Sequence, residues 1–127
     1  MKRILVIEDE GLIRSCLARA LRREGVVISE AQDCQAAREK LREEGCDLAI
    51  VDLCLEDGMD GLKLIPEIHR QVSQAKIIVI TAFGTAEVKE AALAGGADRF
   101  YEKPFDIEEI RSSVNELLHG PRNSVTN

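Results

Sequence analysis

Acidic side chains follow two of the apolar runs in this sequence. Glu8 and Asp9 come directly after the run Ile4–Ile7, and Asp52 comes directly after Leu48–Val51. Short β-branched runs of this kind are typical of strands that are covered on both faces of a parallel sheet. Because the carboxyl ends of parallel strands form the ligand-binding edge of such folds, we expect these three carboxylates to lie close together.

A hydroxyl and an ammonium group are expected at the same edge of the sheet. Thr81 ends the apolar run Ile77–Ile80, and Lys103 stands before Pro104 just after a weak fifth run over residues 98–101. Converging carboxylates repel one another unless a cation neutralises them, whereas an ammonium group opposite them suits an anion. The pattern therefore predicts a site for a divalent metal together with an anionic ligand.

Mg²⁺ suits the predicted cluster of acids. This ion binds one or two carboxylates, keeps several waters and completes its shell with phosphate oxygens. We expect Asp9 and Asp52 to be direct ligands and Glu8 to act through water, while the backbone carbonyl of Cys54 could supply a further protein oxygen.

Asp52 is the predicted reactive group. A carboxylate beside a metal can attack a phosphoryl group to form an aspartyl phosphate, and positioning and charge neutralisation then supply most of the catalysis. Lys103 could neutralise the equatorial phosphoryl oxygens, and Thr81 could offer them a hydroxyl. Each residue alone has a plain structural role; their joint placement after four strands favours the phosphoryl site.

Composition limits the class of protein. The 127 residues are 45% hydrophobic and 31% charged, with a formal net charge of −6, which fits one globular domain and argues against non-specific nucleic-acid binding. No apolar stretch approaches the length of a membrane span, and the start of the chain does not resemble a signal peptide. The four cysteines lack disulfide or zinc spacing, so we expect reduced thiols in a cytoplasmic protein.

Basic residues crowd one early segment of the chain, and we interpret them as a solvated helix face. They are Arg14, Arg19, Arg22 and Arg23.

Helical patterns alternate with the apolar runs. Glycine, aspartate and threonine mark the expected helix boundaries: a first helix stopped by Gly25, a second over residues 34–44 capped by Asp33, a fourth begun by Thr85, and a fifth opened by the capping-box pair Asp106 and Glu109. Pro66 falls inside the third helical pattern and predicts a late start or a kink there.

Five successive βα units predict one parallel sheet with right-handed crossovers. The predicted fold is a doubly wound, three-layer α/β sandwich over residues 1–119. Residues 120–127 are polar and aperiodic, and we expect a flexible tail or the stub of a linker.

Four segments carry a resemblance to a known family. In order along the chain, residues 4–10, 47–53, 79–82 and 97–105 resemble the receiver domain of bacterial two-component response regulators, and the similarity extends from residue 2 to about 119. The resemblance implies a flavodoxin-like fold with strand order 2-1-3-4-5. It also implies that a sensor histidine kinase transfers a phosphoryl group to Asp52, and that the domain catalyses only its own phosphorylation and dephosphorylation.

The same resemblance implies a ligand set and a switch. Mg²⁺ would be held by Asp9, Asp52 and the Cys54 carbonyl with Glu8 nearby, and the Lys103–Pro104 peptide would be cis. Phe100 would be the switch aromatic, turning inward when Thr81 moves toward the phosphoryl group.

The implied output is a surface made by the fourth helix, fifth strand and fifth helix, which would control a downstream effector domain or protein. A phosphorylation-dependent homodimer is a further possibility, and no direct contact of this segment with nucleic acid or membrane is expected.

One stretch departs from the family pattern. Position 56 is Glu where the family has a proline, and Gly61 comes nine residues after Asp52 rather than eight. The acidic loop over residues 56–60 is therefore one residue longer, which leaves its effect on the metal site open.

Two alternatives remain at this point. A haloacid-dehalogenase-like phosphatase also uses a strand-end aspartate and Mg²⁺, but it needs a second acid where this chain has Cys54. A degenerate receiver would bind partners without phosphorylation, and the intact set of acids, Thr81 and Lys103 argues against it.

Overall fold

A computed structural model of the chain describes residues 1–53 and 61–119. In these residues strands and helices alternate without exception. In chain order the elements are β1 (Lys2–Ile7), α1 (Gly11–Leu21), β2 (Val26–Ala31), α2 (Cys34–Glu44), β3 (Leu48–Asp52), α3 (Gly61–Gln71), β4 (Lys76–Thr81), α4 (Ala86–Ala94), β5 (Arg99–Glu102) and α5 (Ile107–His119).

All neighbouring strands pair in parallel, and their order in the sheet is β2-β1-β3-β4-β5. Two hydrophobic clusters cover the two faces of the sheet: one takes its helical residues from α1 and α5, the other from α2, α3 and α4. This arrangement confirms the predicted doubly wound, three-layer α/β sandwich. The predicted tail over residues 120–127 lies outside the described residues, so the domain boundary stays a prediction.

Successive side chains of a strand belong to the two hydrophobic clusters in turn. In β1, Ile4 and Val6 belong to the cluster of α1 and α5, whereas Leu5 and Ile7 belong to the other. Successive side chains of a strand point to opposite faces, so a strand buried on both faces must be apolar throughout. The polar residues that follow such a strand therefore emerge at its end, which places Glu8 at the edge of the sheet.

Side-chain caps form where the sequence predicted them. Asp33 accepts a hydrogen bond from the backbone N–H of Ala36 at 2.8 Å, and Thr85 accepts one at 3.1 Å from the N–H of Val88. At the start of α5, Asp106 accepts from Glu108 at 2.9 Å. Each cap satisfies an N–H group that has no partner within its own helix.

The expected end of the first helix was wrong. The first helix ends at Leu21 rather than at Gly25, and Gly25 (φ 82°) instead leads into β2, where its carbonyl accepts from the N–H of Lys2 at 2.9 Å. Of the two outcomes expected at Pro66, the kink stays a prediction and the late start is not observed, because the third helix begins at Gly61 and contains Pro66. Its buried face, which includes Ile65, favours helix across the proline and offsets the lost hydrogen bond.

Among the described residues, no helix combines the length and the apolar character that crossing a bilayer requires.

Candidate functional site

The predicted acidic residues come together at the carboxyl edge of the sheet. Glu8 and Asp9 follow the end of β1, and Asp52 is the last residue of the neighbouring strand β3. Each of the three offers a carboxylate oxygen, and these oxygens all lie within 4.8 Å of one another. Glu8 and Asp52 are almost fully buried, whereas Asp9 is half-buried, so the cluster opens to solvent on the side of Asp9.

Lys103 closes the cluster from the opposite side. Its Nζ lies 2.8 Å from Oε1 of Glu8 and 3.2 Å from Oδ2 of Asp52, and only 16% of the side chain is exposed. The backbone N–H of Lys103 donates to the carbonyl of Thr81 at 2.8 Å, which fixes the chain just after β5 against the end of β4. The following peptide, Lys103–Pro104, is cis, as the resemblance implied.

In both Glu8 and Lys103, burial and the contact between opposite charges shift the pKa in opposite directions. Burial raises the pKa of Glu8 to about 7, and the Asp52 carboxylate adds to the rise, while the bonds from Lys103 and from the Glu10 N–H oppose it. Burial alone would lower the pKa of Lys103, but the two carboxylates outweigh it and the pKa is raised. Lys103 therefore stays a cation, whereas burial and the neighbouring carboxylate make the charged form of Glu8 less favourable.

The donor set fits a small divalent cation. Three carboxylates face one ammonium group among the described residues, so the cluster is left with excess negative charge. Oε1 of Glu8 is buried, and its close polar neighbour is the Lys103 ammonium at 2.8 Å. Oxygen ligands with excess negative charge and an open side are what a hard ion such as Mg²⁺ requires.

Thr81 ends β4 and is buried beside the cluster. Its Oγ1 accepts a hydrogen bond from the N–H of Phe83 at 3.1 Å, so the hydroxyl also holds the first turn of the loop that follows.

Phe100 on β5 is half-buried and packs against the cluster of α2, α3 and α4. Phe83, which sequence reasoning did not single out, is 69% exposed. Cys54 and the acidic loop 56–60 lie outside the described residues.

Gly61 is a site residue that sequence reasoning noticed only as a shift in spacing. A Cβ at this position would lie 2.7 Å from the carbonyl oxygen of Asp52 and 2.7 Å from Cα of Leu53. Its N–H donates to the carbonyl of Leu53 at 3.2 Å. The first residue of α3 therefore touches the backbone that carries the Asp52 side chain, and only glycine permits this approach.

Comparison with known proteins agrees with this geometry. The family model of the response regulator receiver domain matches residues 4–115. The two-component response regulator PhoP of Pseudomonas aeruginosa is 40% identical over 116 residues, which are 91% of this chain and 51% of that protein. The transcriptional regulatory protein PhoP of Escherichia coli K12 is 38% identical over 122 residues, or 96% of this chain and 53% of that protein. The chain thus spans about half the length of these curated relatives.

Solved structures show the same fold. A CheY-like receiver domain protein from Methanospirillum hungatei superposes with a TM-score of 0.86 at 28% identity, covering 93% of this chain and 94% of that one. A response regulator from Burkholderia pseudomallei, solved with a phosphorylated aspartic acid, a calcium ion and citrate, gives a TM-score of 0.80 at 30% identity, covering 95% and 76% of the two chains. With the sheet order, the acidic cluster and these matches together, the chain belongs to the family of response regulator receiver domains.

Proposed function

We propose that this receiver domain accepts a phosphoryl group on Asp52 from a sensor histidine kinase, with Mg²⁺ bound beside it. The observation that carries the proposal is the position of the Lys103 ammonium, which contacts both Asp52 and Glu8 at the sheet edge. That arrangement places a fixed positive charge beside a buried carboxylate in a cluster that can also hold a divalent cation.

The transfer is a nucleophilic displacement at phosphorus. A carboxylate oxygen of Asp52 forms the new O–P bond while the N–P bond of the phosphorylated histidine breaks, and its electron pair leaves with the imidazole. Lys103 neutralises charge on the phosphoryl oxygens, and the Thr81 hydroxyl donates to one of them. The rigid edge of the sheet holds the Lys103 ammonium in place before the reaction, so it can neutralise charge without first having to move.

Asp9 and Asp52 would hold Mg²⁺ directly, Glu8 through water, and the Cys54 carbonyl would supply a further ligand from outside the described residues. When bound, the ion supplies additional neutralisation of the transferred group. Hydrolysis of the aspartyl phosphate by water resets the site. Receiver domains are signalling modules rather than classical enzymes, and in this one the catalysis would be limited to its own phosphorylation and dephosphorylation.

The output would be a change of binding surface. Thr81 and Phe100 form the proposed two-state element: movement of Thr81 toward the phosphoryl group makes room for the ring, which alters the surface of α4, β5 and α5. The proposed recipient is an effector domain or protein, and a phosphorylation-dependent homodimer is included in the proposal. The similarity to PhoP, and the half-length coverage of those regulators, support an effector partner.

The net charge of −6 supports a module that does not itself bind nucleic acid. A cytoplasmic location, inferred from the spacing of the cysteines, stays a prediction.

The decisive experiment uses acetyl phosphate and Mg²⁺ with intact-mass detection. We expect the protein to gain one phosphoryl group, and we expect Asp52→Asn, or EDTA, to abolish the gain. Asp47→Asn is the matched control. Asp47 directly precedes the first residue of β3, at the end far from Asp52, and its side chain accepts a hydrogen bond from the N–H of Arg3. Steady hydrolysis of many phosphomonoesters would favour the phosphatase alternative, and the absence of any reaction at saturating Mg²⁺ would contradict the proposal.

The switch needs its own test. Thr81→Val keeps the shape of the side chain and removes the hydroxyl, so we expect Asp52 to be labelled still, while phosphorylation no longer changes binding to a partner or the oligomeric state. A pull-down and size-exclusion chromatography, each with phosphorylated and unmodified protein, measure these effects. A response in Thr81→Val equal to that of the unsubstituted protein would exclude the proposed role of the hydroxyl.

A further inference from the structure

The guanidinium of Arg14 reaches back from α1 to the loop that carries two of the acids. Its Nη1 donates to the backbone carbonyl of Glu8 at 2.7 Å and lies 3.5 Å from the carbonyl of Asp9. Its Nε contacts Oε1 of Glu30 at 3.3 Å, near the end of β2, and only 20% of the Arg14 side chain is exposed. One side chain therefore joins α1, the loop after β1 and the neighbouring strand.

Among the described residues, the other side-chain contacts of this loop include that of Lys103 with Glu8. Glu10 is the N-cap residue of α1, and its side chain makes no capping hydrogen bond. The Glu10 N–H instead donates to Oε2 of Glu8 at 3.0 Å, and the Glu8 N–H donates to the carbonyl of Ala31 at 3.0 Å. The planar fork of an arginine can serve several acceptors at once, which a shorter or single-donor side chain cannot do.

We propose that Arg14 is a positioning residue for the divalent cation, acting through the backbone of Glu8 and Asp9. The direction in which each carboxylate leaves the chain depends on the orientation of the peptide units on either side of it, and Arg14 binds the carbonyls of both residues. Mg²⁺ demands near-octahedral geometry, so small errors in ligand direction reduce its affinity. The inference rests on the proposed function only for the identity of the cation site.

Simple electrostatics predicts the opposite effect of removing Arg14. A positive charge near the site repels a dication, so its loss would strengthen binding if charge were all that mattered. The ion pair with Glu30 already neutralises much of that charge, because the two side chains are in contact. The sign of the change in Mg²⁺ affinity therefore distinguishes positioning from electrostatics.

The experiment measures Mg²⁺ binding by isothermal titration calorimetry in Arg14→Gln. We expect the dissociation constant to rise by about 10-fold, which is the lower end for losing a group that supports a metal ligand. Arg19→Gln removes the same charge from an exposed position on α1 and should bind within about twofold of the unsubstituted protein. Arg14→Lys keeps the charge without the fork, and we expect it to weaken binding less than Arg14→Gln.

A result in which Arg14→Gln binds Mg²⁺ as tightly as the unsubstituted protein, or more tightly, overturns the proposal. Urea unfolding in EDTA shows whether the variant is folded. If Arg14→Gln fails to fold, Arg14→Lys decides instead: a dissociation constant equal to that of the unsubstituted protein overturns the proposal, and a raised one supports it.

Phosphorylation by acetyl phosphate supplies a second readout. We expect the Mg²⁺ concentration at half-maximal rate to rise in Arg14→Gln, while the rate at saturating Mg²⁺ stays within about twofold, because the reacting groups are unchanged. Absence of phosphorylation with intact Mg²⁺ binding would contradict the proposed function alone. Absence of Mg²⁺ binding by the unsubstituted protein would contradict both.

Discussion

The ammonium of Lys103 lies 2.8 Å from Oε1 of Glu8, a side chain with no solvent exposure. The contact joins the end of the first strand to the end of the fifth, across the edge at which Asp52 also ends its strand. Burial of Glu8 makes its charge costly, and the ammonium offsets that cost only while it stays in place.

Replacing Lys103 with methionine should therefore destabilise the metal-free protein. We expect a loss of about 3 kcal/mol in the free energy of unfolding in EDTA, because Glu8 and Asp52 are left facing each other without a cation. Mg²⁺ should recover part of that loss and should bind more tightly than to the unsubstituted protein. Urea unfolding with EDTA and with Mg²⁺ measures both effects.

Lys76→Met is the control for this substitution, since Lys76 is exposed at the start of β4, the far end of the sheet. It should change stability by no more than about 0.5 kcal/mol. Equal effects of the two substitutions would show that the contact of Lys103 with the acids contributes nothing.

Gly61→Ala should disturb the site through the backbone that carries the Asp52 side chain. The added methyl would meet the backbone of Asp52 and Leu53 at 2.7 Å, and neither backbone atom can swing away as a side chain end can. We expect a cost of about 1–3 kcal/mol in unfolding free energy, together with slower labelling of Asp52 by acetyl phosphate. Gly11→Ala is matched to it as the first residue of another helix, where the nearest atom would be 3.8 Å away. If both variants match the unsubstituted protein in stability and in the rate of Asp52 labelling, the close packing of Gly61 against the end of β3 contributes to neither.

The ion pair between Arg38 on α2 and Glu67 on α3 should make stability depend on pH. Nε and Nη2 of Arg38 donate to the two carboxylate oxygens at 2.6 and 3.0 Å, and the hydrogen bond to Arg38 lowers the pKa of Glu67 below its ordinary value of 4.5, against a smaller effect of burial. The folded state therefore holds this proton less tightly than the unfolded chain. The pair contributes stability above the ordinary pKa, and that contribution is lost as pH falls through the lowered pKa.

Arg38→Gln should accordingly cost about 1 kcal/mol at neutral pH and little in acid, since both side chains are partly exposed. Urea unfolding across the acid range measures this difference. Lys40→Gln, which removes the looser 3.8 Å contact with Glu44, should cost less at neutral pH. A cost for Arg38→Gln that is the same at every pH would contradict the assignment.

The cysteines of the described residues should differ in reactivity. Cys16 is exposed, whereas Cys34 and Cys46 are buried, and burial raises the pKa of Cys46 to about 12. At pH 8 the thiolate fraction of Cys46 is then roughly one in ten thousand, so alkylation there should be slow and should accelerate about tenfold per pH unit. Iodoacetamide labelling of the native protein with peptide mass mapping should find Cys16 modified before Cys34 and Cys46. Early modification of Cys46 at pH 8 would contradict its burial.

The strand ends could be predicted because they depend on local pattern. Apolar runs followed by Glu8 or Asp52 define both a buried strand and a polar edge, and the family motifs supplied the strand order. Arg14 was interpreted as part of a solvated face, and that interpretation was wrong for this residue, because its role depends on distances to carbonyls outside its own helix. Its spacing of four residues from the N-cap Glu10 was the available signal. The close approach of Gly61 was missed for the same kind of reason, since its contact with the Asp52 carbonyl follows only from how α3 packs on β3.

The amine that completes the pocket is synthesised after the acids that it contacts. On the ribosome, Glu8 and Asp9, which follow β1, are synthesised long before Lys103, and β5 joins the sheet only at its outer edge, beside β4. A nascent chain that has not yet docked its last strand can gather carboxylates but has no ammonium to set against them. The ammonium is therefore set against the acids only in copies whose β5 has already docked beside β4.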